Sequence, residues 1–156
     1  IQRIWHMERT FIAIKPDGVK RGFIGKILQR FEDKSYKIVA LKMLNVTSEQ
    51  AKKHYAEHEG KPFYPSLIEY ITSGPVVAMV LEGENVVSGA RHIMGKTNPD
   101  EADVGTIRGD FAQVKEYNIV HGSDSIESAQ REIAIYFSEN ELCENYKTML
   151  EIVMGS

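Results

Sequence analysis

The sequence predicts a layered domain of the α/β or α+β class, in which strands and helices alternate. Three observations carry this expectation. Apolar runs of strand length stand at residues 10–14, 38–44 and 76–81. Segments with apolar residues at helical spacing lie between them, and Gly, Pro and capping signals separate the two kinds of element. Alternation does not settle strand order, and it suits a parallel flavodoxin-like sheet as well as an antiparallel one.

The elements follow in order. Residues 1–6 have neither period, and His6-Met7 is a pair that a cloning junction would encode. Residues 1–6, including the only tryptophan, Trp5, are therefore read as a cloning remnant, and residues 7–156 as a single domain. A strand at residues 10–14 ends at Lys15-Pro16-Asp17-Gly18, a turn by composition. Ile24, Ile27, Leu28 and Phe31 mark a helix, and Ser35-Tyr36 separates it from a strand running to Leu44. Thr47 and Gln50 match a capping box opening a helix that carries His54 and Tyr55 and ends at Gly60 and Pro62. A helix over residues 65–71, a buried strand over 76–81 and a helix over 84–94 follow. Residues 96–117 show little period and read as a long loop, a length that is usually functional or disordered. A short strand at residues 118–121 then precedes a helix containing Ile126, Ala129, Ile133 and Phe137, with Asp124 and Glu127 as its capping box.

The formal net charge is -3 and the pI about 6.0. That balance gives no footprint for sequence-independent nucleic-acid binding, though a small cationic pocket is compatible with it. Cys143 is the only cysteine, so no intrachain disulfide is expected and a reducing compartment suits the chain. No apolar run reaches membrane-spanning length and no secretory signal opens the chain, which predicts a cytoplasmic protein without membrane partners.

Three motifs fail in their usual roles. Residues 90–97 fit a relaxed P-loop ending in Lys96-Thr97, but the preceding segment reads as helix and Pro99 opposes a helix opening there. His54-Tyr55-Ala56-Glu57-His58 spells an inverted zinc-protease pattern, read instead as a solvated helix face. Arg108-Gly109-Asp110 spells an adhesion tripeptide, and Arg108 is better read as an anion contact in the long loop.

Residues 118–125, Asn-Ile-Val-His-Gly-Ser-Asp-Ser, place His121 at a strand end just before a helix N-terminus. Helix amides there favour an anion, and a neutral imidazole is a competent nucleophile near pH 7. By itself His121 reads as well as a capping or core group.

The wider pattern adds context. The segments 10–19 (Thr-Phe-Ile-Ala-Ile-Lys-Pro-Asp-Gly-Val), His54-Tyr55, Lys61-Pro62-Phe63-Tyr64 and 74–79 (Gly-Pro-Val-Val-Ala-Met) closely resemble nucleoside diphosphate kinases. So do 95–99 (Gly-Lys-Thr-Asn-Pro), 105–111 (Gly-Thr-Ile-Arg-Gly-Asp-Phe) and 118–125, with Glu132 at the matching distance. The resemblance implies a ferredoxin-like βαββαβ core: an α+β fold with an antiparallel four-stranded sheet and additional helices. It implies ping-pong transfer of a γ-phosphoryl group from a nucleoside triphosphate to a nucleoside diphosphate through Nδ1 of His121. Glu132 matches the carboxylate that orients the nucleophile. Lys15, Tyr55, Arg91, Thr97 and Arg108 match groups around the phosphates, Asn118 and Lys15 the sugar contacts, and Phe63 and Leu67 the base platform. Mg²⁺ is implied as cofactor, held mainly through nucleotide phosphates with no protein metal site. A homo-oligomer is also implied, a hexamer ahead of a tetramer or dimer. A non-catalytic nucleotide-binding or scaffold protein of the same fold is the alternative. The resemblance breaks at Lys115-Glu116-Tyr117, where many members carry an apolar residue, glycine and a basic residue.

Overall fold

The computed structural model describes residues 7–155, so the expectation for residues 1–6 lies outside it. In chain order the elements are β1 (Met7–Ile14), α1 (Pro16–Lys20), α2 (Ile24–Asp33), β2 (Lys37–Leu44), α3 (Ser48–His54) and α4 (Tyr64–Ile71). They continue with β3 (Val76–Glu84), α5 (Val86–Met94), α6 (Ile107–Phe111), β4 (Val120–Gly122), α7 (Ile126–Tyr136) and α8 (Met149–Met154). The strands pair in the order β2-β3-β1-β4. Every pairing is antiparallel, so the parallel alternative fails and the ferredoxin-like arrangement holds.

Helices cover both faces, which is why the central strands read as continuous apolar runs. Phe11, Ala13, Ala78 and Val80 pack with Ala51, Tyr55, Ile71, Tyr136 and Phe137 from α3, α4, α7 and the residues that follow them. Ile12, Ile14, Val77, Met79 and Leu81 pack against Ile27, Phe31, Ala90, Met94 and Ile107 from α2, α5 and α6. Each such Ile, Leu or Phe contributes about 1.5–3 kcal/mol by burial. A bulge between Ile38 and Ala40 breaks the alternation of β2 and turns both Val39 and Ala40 into the first layer. The chain after α7 returns along this edge strand. Cys143 N donates to the Val39 carbonyl at 2.6 Å, and the Tyr146 hydroxyl to that of Ile38.

Four local expectations are corrected. Lys15-Pro16-Asp17-Gly18 opens α1 rather than forming a turn, because Pro16 at the first helical position has the backbone angle a helix needs. The helix bearing His54 stops there instead of at Gly60, and Ala56–His58 forms a separate 3₁₀ turn. Residues 96–117 contain α6, capped by Thr106 accepting from Gly109 N, and two 3₁₀ turns. The helix after β4 is capped by Ser125 accepting from Ser128 N, not by an Asp124–Glu127 box. The Thr47–Gln50 capping box is present as expected.

Candidate active site

Backbone geometry delivers His121 to the end of the sheet. In β4 it pairs opposite Ala13 of β1. Just before it, Ile119 has φ +75° and Val120 N donates to the Asn118 carbonyl at 2.8 Å, a γ-turn of the rare, strained kind. The strain is held from both sides. Ile119 N donates to Asp17 Oδ2 at 3.1 Å, and Lys15 N donates to the Ile119 carbonyl at 2.8 Å. A Cβ on Gly18 would lie 2.8 Å from Ile119 Cγ2, so only glycine lets α1 approach this turn.

Glu132 comes from the inward face of α7, where Ala129, Glu132 and Tyr136 are all buried. Its Oε1 accepts from His121 Nε2 at 2.6 Å and from Ser123 Oγ at 2.9 Å. Arg131 NH2 lies 3.6 Å from Oε2. Ser123 is buried and reaches the Phe11 backbone, joining the carboxylate to the central strand. With its proton on Nε2, a neutral His121 keeps its lone pair on Nδ1.

Around His121 the pocket is cationic: Lys15, Arg91 and Arg108 line it together with Thr97 and Asn118. Lys15 Nζ donates to Asn118 Oδ1 at 2.8 Å, and Asn118 Nδ2 donates to the Thr97 carbonyl at 3.2 Å. Burial, then the neighbouring Arg108 charge, pushes the Lys15 ammonium down to about 8. Arg108 is 5% exposed and anchors three backbone carbonyls, those of Asn118, Gly95 and Val120. Three of its five N–H groups are thereby used and two remain. Burial, then Arg91, pushes it down to about 10. Arg91 NH1 donates to the Gly122 carbonyl at 3.0 Å. This concentration of cations favours a polyanion.

Of the residues expected at the site, Lys15, Tyr55, Arg91, Thr97, Arg108, Asn118, His121 and Glu132 line this one pocket. Burial, then Glu132, raises the Tyr55 phenol to about 12, so it remains a hydrogen-bond donor. Phe63 and Leu67 do not line the pocket. Phe63 is 48% exposed and approaches the rim through His58, with ring centroids 5.4 Å apart. Leu67 is partly buried against the core layer of α3, α4 and α7.

The reading of His54 as part of a solvated face is wrong. Ala51, His54 and Tyr55 form the inward stripe of α3, a spacing that signals burial. His54 meets Tyr136 and His121 there, whereas His58 lies on the 3₁₀ turn beside Glu57 and Lys61. The zinc-protease pattern is thus split. The adhesion tripeptide is split as well: Arg108 is buried and Asp110 pairs with Arg30 at 2.7 Å. Ser123 and Asp17 are site residues that sequence spacing did not single out.

A divalent cation finds few free oxygens in this lining. Its carboxylates are Glu57, Asp124 and Glu132, and Glu132 is occupied. His54, His121 and Glu132 offer ligand atoms within 4.8 Å of one another, but the 2.6 Å contact has the length of a charge-assisted hydrogen bond.

Fold and site together define an α+β phosphate-handling domain with a histidine at the end of its sheet. The family model described as nucleoside diphosphate kinase matches residues 8–142. Nucleoside diphosphate kinase from Bacillus cereus is 58% identical over 145 residues, covering 93% of this chain and 98% of that one. The Moorella thermoacetica enzyme is 62% identical over 136 residues, covering 87% and 98%. A crystal structure of a nucleoside diphosphate kinase family protein from Babesia bovis superposes with a TM-score of 0.91 at 44% identity, over 94% of this chain and 99% of that one. The chain belongs to the nucleoside diphosphate kinase family.

Proposed function

We propose that the chain is a nucleoside diphosphate kinase working by a ping-pong mechanism through phosphorylated His121. The His121–Glu132 contact carries this reading, since a carboxylate accepting the Nε2 proton leaves the Nδ1 lone pair for attack. In the first half-reaction an Nδ1–P bond forms and the bond from Pγ to the bridging oxygen breaks, its electron pair leaving with the nucleoside diphosphate. The acceptor diphosphate reverses these steps. Lys15, Arg91, Arg108 and the Tyr55 hydroxyl compensate charge on the phosphates, which is most of what this chemistry asks of a protein. Asn118 and Lys15 serve the sugar, and Phe63 with Leu67 the base, which stacking would accept without regard to its hydrogen-bonding edge.

Mg²⁺ would arrive with the nucleotide, held mainly by phosphate oxygens, with Asp124 and Glu57 the lining carboxylates not taken by His121. Bound there, it would neutralise phosphate charge. No helix among the described residues is long and apolar enough to cross a membrane, and a cytoplasmic setting suits the unpaired Cys143 thiol. Assembly as a homo-hexamer is part of the proposal. Exposed Leu41 and Met43 on β2, with Met149 and Val153 on α8, supply apolar surface for it.

Incubation with γ-labelled ATP and Mg²⁺ should give an acid-labile phosphoprotein that a nucleoside diphosphate discharges. Equal labelling of His121→Ala would sink the proposal, and nucleotide binding without a phosphoenzyme would favour the scaffold alternative.

A further inference from the structure

Behind His121 lies a hydrogen-bond chain whose polarity follows from donor and acceptor rules. A carboxylate only accepts, so the proton in the 2.6 Å contact with Glu132 belongs to His121 Nε2. His54 Nε2 stands 3.2 Å from the same nitrogen, with the rings edge to face. A proton on His54 Nε2 would set two N–H groups against each other. That nitrogen therefore presents its lone pair, and the proton of the neutral ring sits on Nδ1. His54 Nδ1 is 2.7 Å from the Tyr136 hydroxyl oxygen, which must accept.

We infer that Tyr136, acting through His54, is a positioning residue for the His121 nucleophile. Its hydroxyl oxygen accepts from His54 Nδ1–H, the form that the His121 N–H selects, and so fixes the ring whose bare Nε2 gives the His121 Nε2 proton a second acceptor beside Glu132. This rests on the phosphohistidine reading above. As Nδ1 takes the phosphoryl group, positive charge develops on the His121 ring while the Nε2 proton stays in place. Two acceptors facing that proton stabilise the charged ring more than the neutral one, so their effect falls on the chemical step. Burial drives His54 down to about 2, which keeps it neutral and its lone pair available.

The hydroxyl has a plainer explanation as a satisfied polar group in the core. The Tyr136 ring stacks on Phe11 at 4.8 Å and 8°, and a phenylalanine would stack equally well. A packing role therefore predicts no kinetic change in Tyr136→Phe.

Long-range ¹⁵N–¹H correlation of the imidazoles in the full chain reads the tautomers directly. The wild type should show His54 as Nδ1–H and His121 as Nε2–H, and a His54 Nε2–H form would overturn the inference. In Tyr136→Phe, single-turnover phosphorylation should slow by about tenfold at unchanged nucleotide affinity, with the buried His54 Nδ1–H left without its acceptor. An unchanged rate would overturn it. Should Tyr136→Phe fail to fold, His54→Gln and His54→Leu replace it. The glutamine keeps an acceptor toward His121 and should be several-fold faster than the leucine, and equal rates would count against the inference. A folded wild type that forms no phosphohistidine overturns the enzymatic reading first, and this inference with it; normal labelling with the wrong tautomer overturns this inference alone.

Discussion

The proposed phosphate end and the proposed base end of the candidate site are built on different principles. At the phosphate end, Glu132, Ser123, His54, Asn118 and Arg108 are buried, and each makes hydrogen bonds that also hold the backbone or one another. At the base end, Phe63 is half-exposed beside His58, and Lys115 lies in an exposed 3₁₀ turn. One end is preorganised for charge, where small displacements cost rate. The other is a loose platform, where affinity is at stake. Mutations should therefore couple stability to catalysis at the first end and uncouple them at the second.

The sharpest break is His121→Ala, expected to lower turnover by about 10⁴-fold or more while leaving the fold intact by circular dichroism. Arg108→Ala tests the coupling. It should lose rate and also about 2–4 kcal/mol of stability in denaturant titration, since two buried carbonyls and one half-buried one lose their donor. If Arg108→Ala unfolds like the wild type, the idea of a shared structural and chemical role fails.

Lys15 gives a pH signature of opposite signs. Its native value near 8 lies below the ordinary lysine value of 10.5, so the folded state binds fewer protons than the unfolded one between them. Its contribution to stability is present above about 10.5 and is lost as pH falls through about 8. Phosphate binding is expected to run the other way, because the ammonium proposed to grip it is lost as pH rises through that value. Lys15→Met should abolish the alkaline fall in nucleotide affinity and raise the melting temperature at pH 7, which calorimetry and binding titrations would report. Phe63→Ala should raise KM by roughly fivefold with little effect on kcat, within the range of stacking energies. A large fall in kcat would erase the distinction between the two ends. The smallest change belongs to Lys115→Val, a shift of KM within about threefold, read by comparing purine and pyrimidine diphosphates.

What was legible in the sequence follows how local each cause is. The Thr47–Gln50 box and the periods of α2 and α7 lie within one element, and they read correctly. Pro16 signals a turn and a helix start equally well, and only the packing of Gly18 on Ile119 selects the helix. Ser125 and Asp124 both qualify as caps, and the extended backbone of Ser125 decides between them. The fold and the gathering of the phosphate groups were reached through resemblance to a family rather than through periodicity. His54 and His121 are 67 residues apart in sequence and meet only because α3 and β4 close on the same end of β1, so no spacing rule could pair them.

The segment after α7 that lies on the edge strand has a consequence for aggregation. An open strand edge is a template for pairing with other molecules. Here the carbonyls of Ile38 and Val39, at the bulge where the edge is most irregular, are occupied by Tyr146 and Cys143 from the segment after α7. Without residues 143–146, these two carbonyls would be uncovered. A chain truncated after Leu142 should keep its pocket yet precipitate more readily, because those two carbonyls would be open to pairing with another molecule.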